Sequence, residues 1–445
     1  MLRPAQSSVL VRLGTLLGVF SCLLFLAMGA SAATKHSVDS SFPSYTGLVM
    51  AGYQGWFRAA GDGSQEGWTH YGSRGKFDPA HLVIDYWPDV SEYSRTYTTP
   101  FKLPDGSPAR VFSPWDKSTV DVHFRWLRDY GIDGVFMQRF FHVTRTEESR
   151  RQARVILGHA LKASQKYGRA IAVMYDLSGM DSGEDCSTII QDWKELVDKM
   201  GITSQGVNQT YLYHRGKPLV VVWGLGFRDR DYDIRRIGID KLIDFLKSDP
   251  QYGGCSLMLG VPTHFRELRM DTRPDPYLHE IMGKADVILP WMVGRFSGSR
   301  PEEMERYSAQ VTADIAWCSE RKLDYVPCVY PGFSWYNLKK GHDPFNAIPR
   351  QRGKFYGGLI NSAIKSGAKM LYVAMFDEMN EGTAIFKCTN NPPTDGAKFL
   401  AYEGLSSDHY LWLTGQAGRM LRREIPLSPE LYRQTNHSRT TTTHE

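Results

Sequence analysis

The chain has 445 residues, of which 42% are hydrophobic and 23% charged, and its formal net charge is +5. This is an ordinary globular balance, and a chain of this length can bury a large core. The densest basic runs, Arg150–Arg154 and Arg419–Arg423, lie on helix-like stretches, which favours solvated helix faces over a nucleic-acid-binding patch.

Residues 1–32 have the features of a secretory signal peptide, for which a retained signal anchor is the alternative. The parts of such a signal follow one another: basic residues at Arg3 and Arg12, an apolar stretch over Leu13–Met28, and a cleavage site at Ala30-Ser31-Ala32. We therefore predict a secreted protein, extracellular or periplasmic, with an extended polar segment over residues 33–46. No later segment has about 18 uninterrupted apolar residues, so we expect no membrane span beyond the signal.

Eight short apolar runs of strand type follow along the chain. They are Gly47–Tyr53, Gly134–Arg139, Ala170–Asp176, Pro218–Trp223, Ser256–Val261, Asp286–Met292, Tyr325–Tyr330 and Met370–Phe376. Several of these runs are continuous rather than alternating, which is typical of parallel strands that are buried on both faces.

Helix-type segments separate these runs. They are Thr119–Tyr130, Glu147–Tyr167, Asp185–Met200, Asp233–Lys247, Tyr277–Gly283, Pro301–Arg321, Gly353–Ser366 and Leu405–Arg422. The alternation predicts an α/β fold, a (β/α)8 TIM barrel over residues 47–425, for which a doubly wound open sheet is the alternative. Residues 426–445 are predicted to form a polar tail.

The connection from Gly52 to Lys117, after the first strand, is long and rich in Gly, Trp, Tyr and Pro. In a barrel it lies at the C-terminal face, where barrel enzymes have their active sites. We therefore predict a long loop insertion that forms a substrate-binding cap.

Five cysteines follow the signal: Cys186, Cys255, Cys318, Cys328 and Cys388. In an exported protein this odd number predicts one or two disulfides and a free thiol, with a pairing that the sequence does not determine.

The eighth run leads directly into three carboxyl groups, Asp377, Glu378 and Glu381. Carboxyl groups that are crowded at the end of a buried strand cannot all ionise cheaply, so at least one pKa should rise. One protonated and one ionised carboxyl group are what glycosidic cleavage needs, which makes Glu378 and Glu381 the candidate catalytic pair. A solvated acidic loop or a helix cap is the alternative.

The segment Phe376–Ile385 resembles the closing motif of the endo-α-1,2-mannosidase family, glycoside hydrolase family 99, which is grouped with family 71. That motif reads approximately Asn-Glu-Trp-x-Glu-Gly-Thr-x-Ile. Other segments resemble the same family in the same order: Gly52–Phe57, Gly67–Tyr71, Phe124–Val135 and Val329–Phe333. The resemblance extends over approximately residues 47–385, and only the Glu-x-x-Glu-Gly-Thr stretch is specific.

This resemblance implies a retaining mechanism. Glu378 would act as a base on the sugar 2-hydroxyl, whose oxygen attacks the anomeric carbon to give a 1,2-anhydro sugar. Glu381 would act first as an acid on the leaving group and then as a base on water. Asp377 and Met379 depart from the Asn and Trp of the family motif, so mannose specificity is not carried over.

Further residues lie in the predicted cap or beyond strand ends. We predict substrate contacts from Trp56, Trp68, His70, Asp176, Trp291, Tyr330 and Trp335, for which packing or a structural ion pair is the alternative. Trp115, Arg139, Trp223, His264 and Arg295 occupy similar positions.

The sequence lacks a His-Glu-x-x-His motif, a Gly-x-Ser-x-Gly motif and a complete dinucleotide fingerprint, which argues against zinc protease, serine esterase and dehydrogenase. We predict a monomeric, secreted glycoside hydrolase that acts on a polysaccharide or glycan and uses no cofactor or metal. A carbohydrate-binding protein on a degenerate barrel and a hydrolase of unrelated chemistry are the alternatives.

Overall fold

A computed structural model describes residues 34–37, 39–204, 208–394 and 396–428. The predicted signal peptide and residues 429–445 of the predicted tail lie outside this part of the chain. Among the described residues, no helix has the length and apolar character that crossing a membrane requires.

The strands alternate with the helices along the chain. The strands are β1 (Val49–Tyr53), β2 (Tyr97–Lys102), β3 (Pro108–Val111), β4 (Gly134–Phe140), β5 (Ala170–Asp176), β6 (Tyr213–His214), β7 (Lys217–Trp223), β8 (Ser256–Pro262), β9 (Val287–Trp291), β10 (Asp324–Tyr325), β11 (Cys328–Val329) and β12 (Leu371–Val373). The helices are α1 (Lys117–Tyr130), α2 (Phe141–Thr144), α3 (Glu147–Tyr167), α4 (Ser187–Met200), α5 (Ile239–Ser248), α6 (Tyr277–Met282), α7 (Pro301–Glu320), α8 (Lys354–Lys365) and α9 (His409–Leu421), with a 3₁₀ turn at Gln351–Gly353.

The long helix α3 shows how local sequence sets the helix bounds. Its first turn is capped by Thr146, whose hydroxyl accepts a hydrogen bond from the Ser149 amide while the Ser149 side chain bonds back to Thr146. Gly168 follows the last residue in a left-handed conformation with φ 59°, which ends the helix.

The parallel strands form a ring. The order of hydrogen-bonded neighbours is β10-β9-β8-β7-β5-β4-β1-β12-β11. Its two ends, β10 and β11, are halves of one strand that Val326 and Pro327 separate, since β10 pairs with β9 and β11 pairs with β12. The ring therefore closes through residues 324–329 with eight strand positions, and the predicted (β/α)8 barrel is confirmed.

All eight predicted runs contain barrel strands, and the differences lie at their ends. The eighth strand stops at Val373 rather than Phe376, because the chain then folds into the loop that carries the candidate catalytic pair. Helix α5 begins at Ile239, six residues after the predicted start at Asp233, because Gly238 adopts a left-handed conformation with φ 68° that a helix interior does not accommodate.

The insertion after β1 contains the antiparallel hairpin β2–β3 and packs beside the loops that follow the last two barrel strands. Asp85 joins these parts, because its carboxylate accepts hydrogen bonds from the Tyr336 and Asn337 amides and its own amide donates to the Met379 carbonyl. Only the first residues of the insertion, Gln54 and Trp56, line the main pocket. The insertion thus packs at the side of the pocket. The prediction that it caps the pocket is wrong for most of the insertion, because only its first residues line the pocket.

The disulfide expectation is also wrong, because all five cysteines of the described chain are free and buried. They act as small, weakly polar side chains within the core.

Candidate active site

The loop after β12 folds back on itself. Hydrogen bonds run from the Met375 amide to the Thr383 carbonyl over 3.2 Å and from the Ala384 amide to the Glu378 carbonyl over 3.0 Å. Gly382 makes the turn with φ 67°, and a Cβ there would lie 2.8 Å from the Ser334 nitrogen. This loop brings Glu378 and Glu381 to one pocket, as the sequence predicts.

That pocket has a volume of about 350 Å³ and lies at the C-terminal ends of the barrel strands. Its aromatic walls are Trp56, Phe140, Trp223, Phe227, Trp291, Phe333 and Trp335. Its charged groups are Asp176, Asp229, Arg230, Arg295, Glu378 and Glu381. Apolar walls with a few convergent polar groups are the usual composition of a small-molecule site.

Glu378 is buried and forms no ion pair among the described residues. Its Oε1 accepts a hydrogen bond from Gln54 Nε2 over 2.9 Å, and its Oε2 accepts one from Thr383 Oγ1 over 3.1 Å. Burial and the nearby charge of Glu381 raise the pKa of Glu378 well above its usual value, whereas the two donors act in the opposite direction.

Burial also raises the pKa of Glu381, from 4.5 to about 7. The indole of Trp335 and the positive charges of Lys339 and Arg230 oppose this rise, and the charge of Asp176 adds to it. Because the two glutamates interact, they titrate as a pair, and the pKa of each lies above its usual value. The pocket therefore retains carboxyl protons at a pH where an exposed glutamate would have lost its proton.

Asp176 is the last residue of β5 and lines the same pocket. Its Oδ1 accepts a hydrogen bond from the Ser178 amide over 2.7 Å, and burial raises its pKa to about 6. A third carboxyl group thus faces the space beside Glu381.

The two departures from the family motif lie behind the pocket. The carboxylate of Asp377 accepts hydrogen bonds from the Gln54 and Gly55 amides and does not line the pocket. Met379 is fully buried in the core and contributes nothing to the pocket wall.

The pocket brings together four of the seven predicted substrate-contacting residues. They are Trp56, Asp176, Trp291 and Trp335, and two residues at similar positions, Trp223 and Arg295, join them. Trp56 is held rigidly, because its ring stacks on His70 at 3.8 Å and on Phe140 at 4.9 Å.

The other three predicted contacts lie outside this pocket. Trp68 packs its ring against Tyr71 and Phe77 within the insertion. His70 lies behind Trp56 and lines a separate cavity of about 70 Å³, where burial lowers its pKa to about 3 and keeps it neutral. Tyr330 is buried, and its hydroxyl donates to the Phe296 carbonyl over 2.5 Å.

Three of the further candidates do not line the pocket and contact other parts of the protein. Arg139 donates to both oxygens of Asp192, at 2.8 and 2.5 Å. His264 contacts Asp271, and the Trp115 carbonyl contacts His159.

Several pocket residues escaped the sequence argument, among them Gln54, Gln138, Phe140 and Arg230. Phe140 ends β4, so a search of every strand end would have found it. Gln54 and Gln138 belong to a common residue type, and no local pattern distinguishes them from solvated glutamines. Among the described residues, no group of three or more His, Cys, Asp or Glu side chains is arranged to hold a metal ion.

Comparison with known proteins supports the predicted resemblance. Residues 307–423 match the family described as Glycosyl hydrolase family 99, and this segment includes both glutamates. No curated protein matches the chain.

Solved structures share the fold at low identity. Two structures of the family-99 endo-alpha-mannosidase from Bacteroides thetaiotaomicron, one in complex with BIS-TRIS-propane, are 16% and 15% identical and have TM-scores of 0.60. Each comparison covers 85% of this chain and 98% of the other. A glycoside hydrolase-like protein is 15% identical, with a TM-score of 0.50, over 77% of this chain and 97% of the other. The predicted resemblance is thus confirmed: residues 307–423 match glycosyl hydrolase family 99, and the chain shares the fold of the solved family-99 structures.

Proposed function

We propose that the chain is a secreted, retaining glycoside hydrolase that cleaves a polysaccharide or glycan with Glu378 and Glu381. One observation carries the proposal: two carboxyl groups that form no ion pair among the described residues share one aromatic-walled pocket, and the pKa of each is raised. Carboxyl groups in such surroundings have separated acid and base roles, and they are typical of glycosidase sites.

In the first step, ionised Glu378 takes the proton of the sugar 2-hydroxyl. The 2-oxygen attacks the anomeric carbon as the glycosidic bond breaks, and protonated Glu381 gives its proton to the leaving oxygen. The product is a 1,2-anhydro sugar. In the second step, Glu381 takes a proton from water, the water oxygen attacks the anomeric carbon, and Glu378 returns its proton to the 2-oxygen. The two inversions together retain the anomeric configuration.

The hydrogen-bond donors around Glu378 and the aromatic walls beside Glu381 support the assignment of Glu378 as base and Glu381 as acid. Gln54 and Thr383 donate hydrogen bonds to Glu378, which favours the ionised form that a base requires. The aromatic walls beside Glu381 offer apolar faces to the C–H surfaces of sugar rings.

Hydrolysis of α-mannan, α-glucan and xylan by the wild type, Glu378→Gln and Glu381→Gln tests the proposal. We place α-mannan first because of the endo-alpha-mannosidase neighbours. The proposal expects wild-type turnover and, in both variants, lost turnover with retained binding. A wild type that binds a glycan and cleaves none of the panel would support a carbohydrate-binding protein instead.

A matched substrate pair separates the 2-hydroxyl route from direct attack by a carboxylate. The proposed route requires the 2-hydroxyl on the sugar that is cleaved, so a substrate methylated at that oxygen should not be hydrolysed. Hydrolysis of the methylated substrate at the normal rate would contradict the route. NMR of the first product formed shows whether the anomeric configuration is retained.

Secretion and the monomeric state belong to the same proposal and rest on the sequence alone. N-terminal sequencing of the protein exported by its host should give a start near Ala33. Size-exclusion chromatography with light scattering should give the mass of one chain.

A further inference from the structure

We propose that Asp377 and Gln54 form a positioning pair that orients Glu378 and favours its ionised form for its role as base. This inference rests on the proposed function and adds two residues to it. Neither residue belongs to the acidic pair itself, and Asp377 stands where the family motif has Asn.

Asp377 fixes the backbone at the end of the first barrel strand. Its Oδ1 accepts a hydrogen bond from the Gln54 amide and its Oδ2 accepts one from the Gly55 amide, each over 2.8 Å. Both oxygens are used, so an Asn side chain, which has a single acceptor oxygen, would leave one buried amide opposite an NH₂ group. The carboxylate is therefore matched to this pair of backbone donors, which explains the departure from the motif.

The Gln54 side chain continues the connection into the pocket. Its Nε2 donates to Glu378 Oε1 over 2.9 Å, and this orientation follows because a carboxylate accepts and does not donate. Gln54 Oε1 is left buried and has no hydrogen-bond partner among the described residues. A buried acceptor without a partner is costly, so its presence beside Glu378 requires an explanation. An apolar side chain of similar size would avoid that cost, so packing alone does not explain an amide here.

The ionisable groups around Glu378 act mostly against its ionised form. Glu381 and Asp377 lie on its own loop, and Tyr372 faces it from β12. Farther away, Asp176 from β5 acts on Glu381, where the charges of Arg230 and Lys339 oppose it. No cation forms an ion pair with Glu378 among the described residues, so its ionised form depends on neutral donors, Gln54 and Thr383.

The test is the pH profile of kcat/KM for Gln54→Met. This substitution keeps the length of the side chain and removes the Nε2 donor to Glu378. We expect the acidic limb, where Glu378 must ionise, to move to higher pH by about one unit and kcat/KM at the optimum to fall about tenfold. Thermal unfolding of the variant at the same pH values reports whether the fold is intact.

Asp377→Asn provides the second variant, with nearly the same shape. It should move the acidic limb in the same direction by a smaller amount, because Gln54 is retained but its backbone is less firmly held. If Gln54→Met does not fold, the pH profile of Asp377→Asn still tests the proposal.

Gln191→Met is the matched control on α4, outside the pocket. The Gln191 amide donates to Glu195 Oε1 over 3.0 Å, so its loss removes a similar amide–carboxylate hydrogen bond and should leave both limbs and kcat/KM unchanged. Wild-type limbs in Gln54→Met and Asp377→Asn, or an equal shift in Gln191→Met, would overturn the positioning pair. This failure differs from failure of the proposed function, in which Glu378→Gln itself retains turnover.

Discussion

Carboxyl groups at two places in this barrel, Asp192 beside α4 and the glutamates of the pocket, have opposite surroundings. Between β4 and α4, Asp192 accepts two hydrogen bonds from Arg139 and one from the Tyr175 hydroxyl. In the pocket, Glu378 and Glu381 have no ion-pair partner among the described residues, and the charge of Glu381 adds to the effect of burial in raising the pKa of Glu378. The first arrangement neutralises a buried charge and stabilises packing, whereas the second retains a proton that chemistry can use. Burial alone thus does not identify a catalytic acid, and the kind of partner does.

The largest expected effect separates the roles within the pocket pair. Glu378→Gln and Glu381→Gln should each lower kcat about 10³-fold on a natural glycan, since one proton transfer is lost. On a substrate with an activated aryl leaving group, Glu381→Gln should lose much less in the bond-breaking step, because that group departs without protonation. Glu378→Gln should remain equally impaired on both substrates. Burst kinetics on the two substrates measure the difference, and equal losses in both variants would contradict the assignment.

A change in the Arg139–Asp192 ion pair should lower the stability of the fold rather than alter the chemistry. Arg139→Met leaves the Asp192 carboxylate buried without its cation, so we expect the free energy of unfolding to fall by about 3–5 kcal/mol. Urea denaturation monitored by tryptophan fluorescence measures this change. Arg151→Met removes an exposed ion pair with Glu148 and should leave the denaturation curve nearly unchanged, because solvent screens that pair. A similar small cost for both variants would show that the buried pair has no special role.

The pocket pair should also lower stability at high pH. Because the pKa of Glu381 is about 7 in the folded protein and 4.5 when unfolded, the folded state binds more protons between these values. Stability from this group is therefore full below pH 4.5 and is lost as the pH rises through 7. Glu381→Gln removes the loss, and we expect it to be more stable than the wild type by about 1–3 kcal/mol at pH 8 and by little at pH 4. Thermal unfolding at the two pH values checks this expectation, which a pH-independent difference would contradict.

The smallest expected effect compares a tryptophan inside the pocket with one outside it. Trp291→Ala should raise KM about 2–10-fold, the contribution of one aromatic contact. Trp68→Ala should leave KM unchanged, since its ring packs against Tyr71 and Phe77 within the insertion. Initial-rate measurements on one substrate suffice. An equal rise in KM for both variants would show that the insertion contacts the substrate.

The sequence argument succeeded where a signal lay within a short segment. The eight strand runs were recognisable because strands buried on both faces are continuously apolar. The nearness of Glu378 and Glu381 followed from their spacing, and Asp176 and Trp291 followed from their positions at strand ends. Trp68, His70 and Tyr330 do not line the main pocket, because their side chains pack against neighbouring groups, so substrate contacts from these three residues stay predictions.

Local pattern was sufficient for the alternation of strands and helices, the barrel class and the identity of the acidic pair, since hydrophobic periodicity and residue spacing act over a few positions. Three features depend on the folded barrel and not on local sequence. They are the closure of the ring through β10 and β11, the free thiols, and the hydrogen bonds that Glu378 accepts. Gln54 and Asp377 illustrate the reason, because 323 positions separate them along the chain and only the pairing of β1 with β12 brings them together. Hydrogen bonds and desolvation depend on such distant neighbours, so proton affinities in the pocket are a property of the assembled barrel.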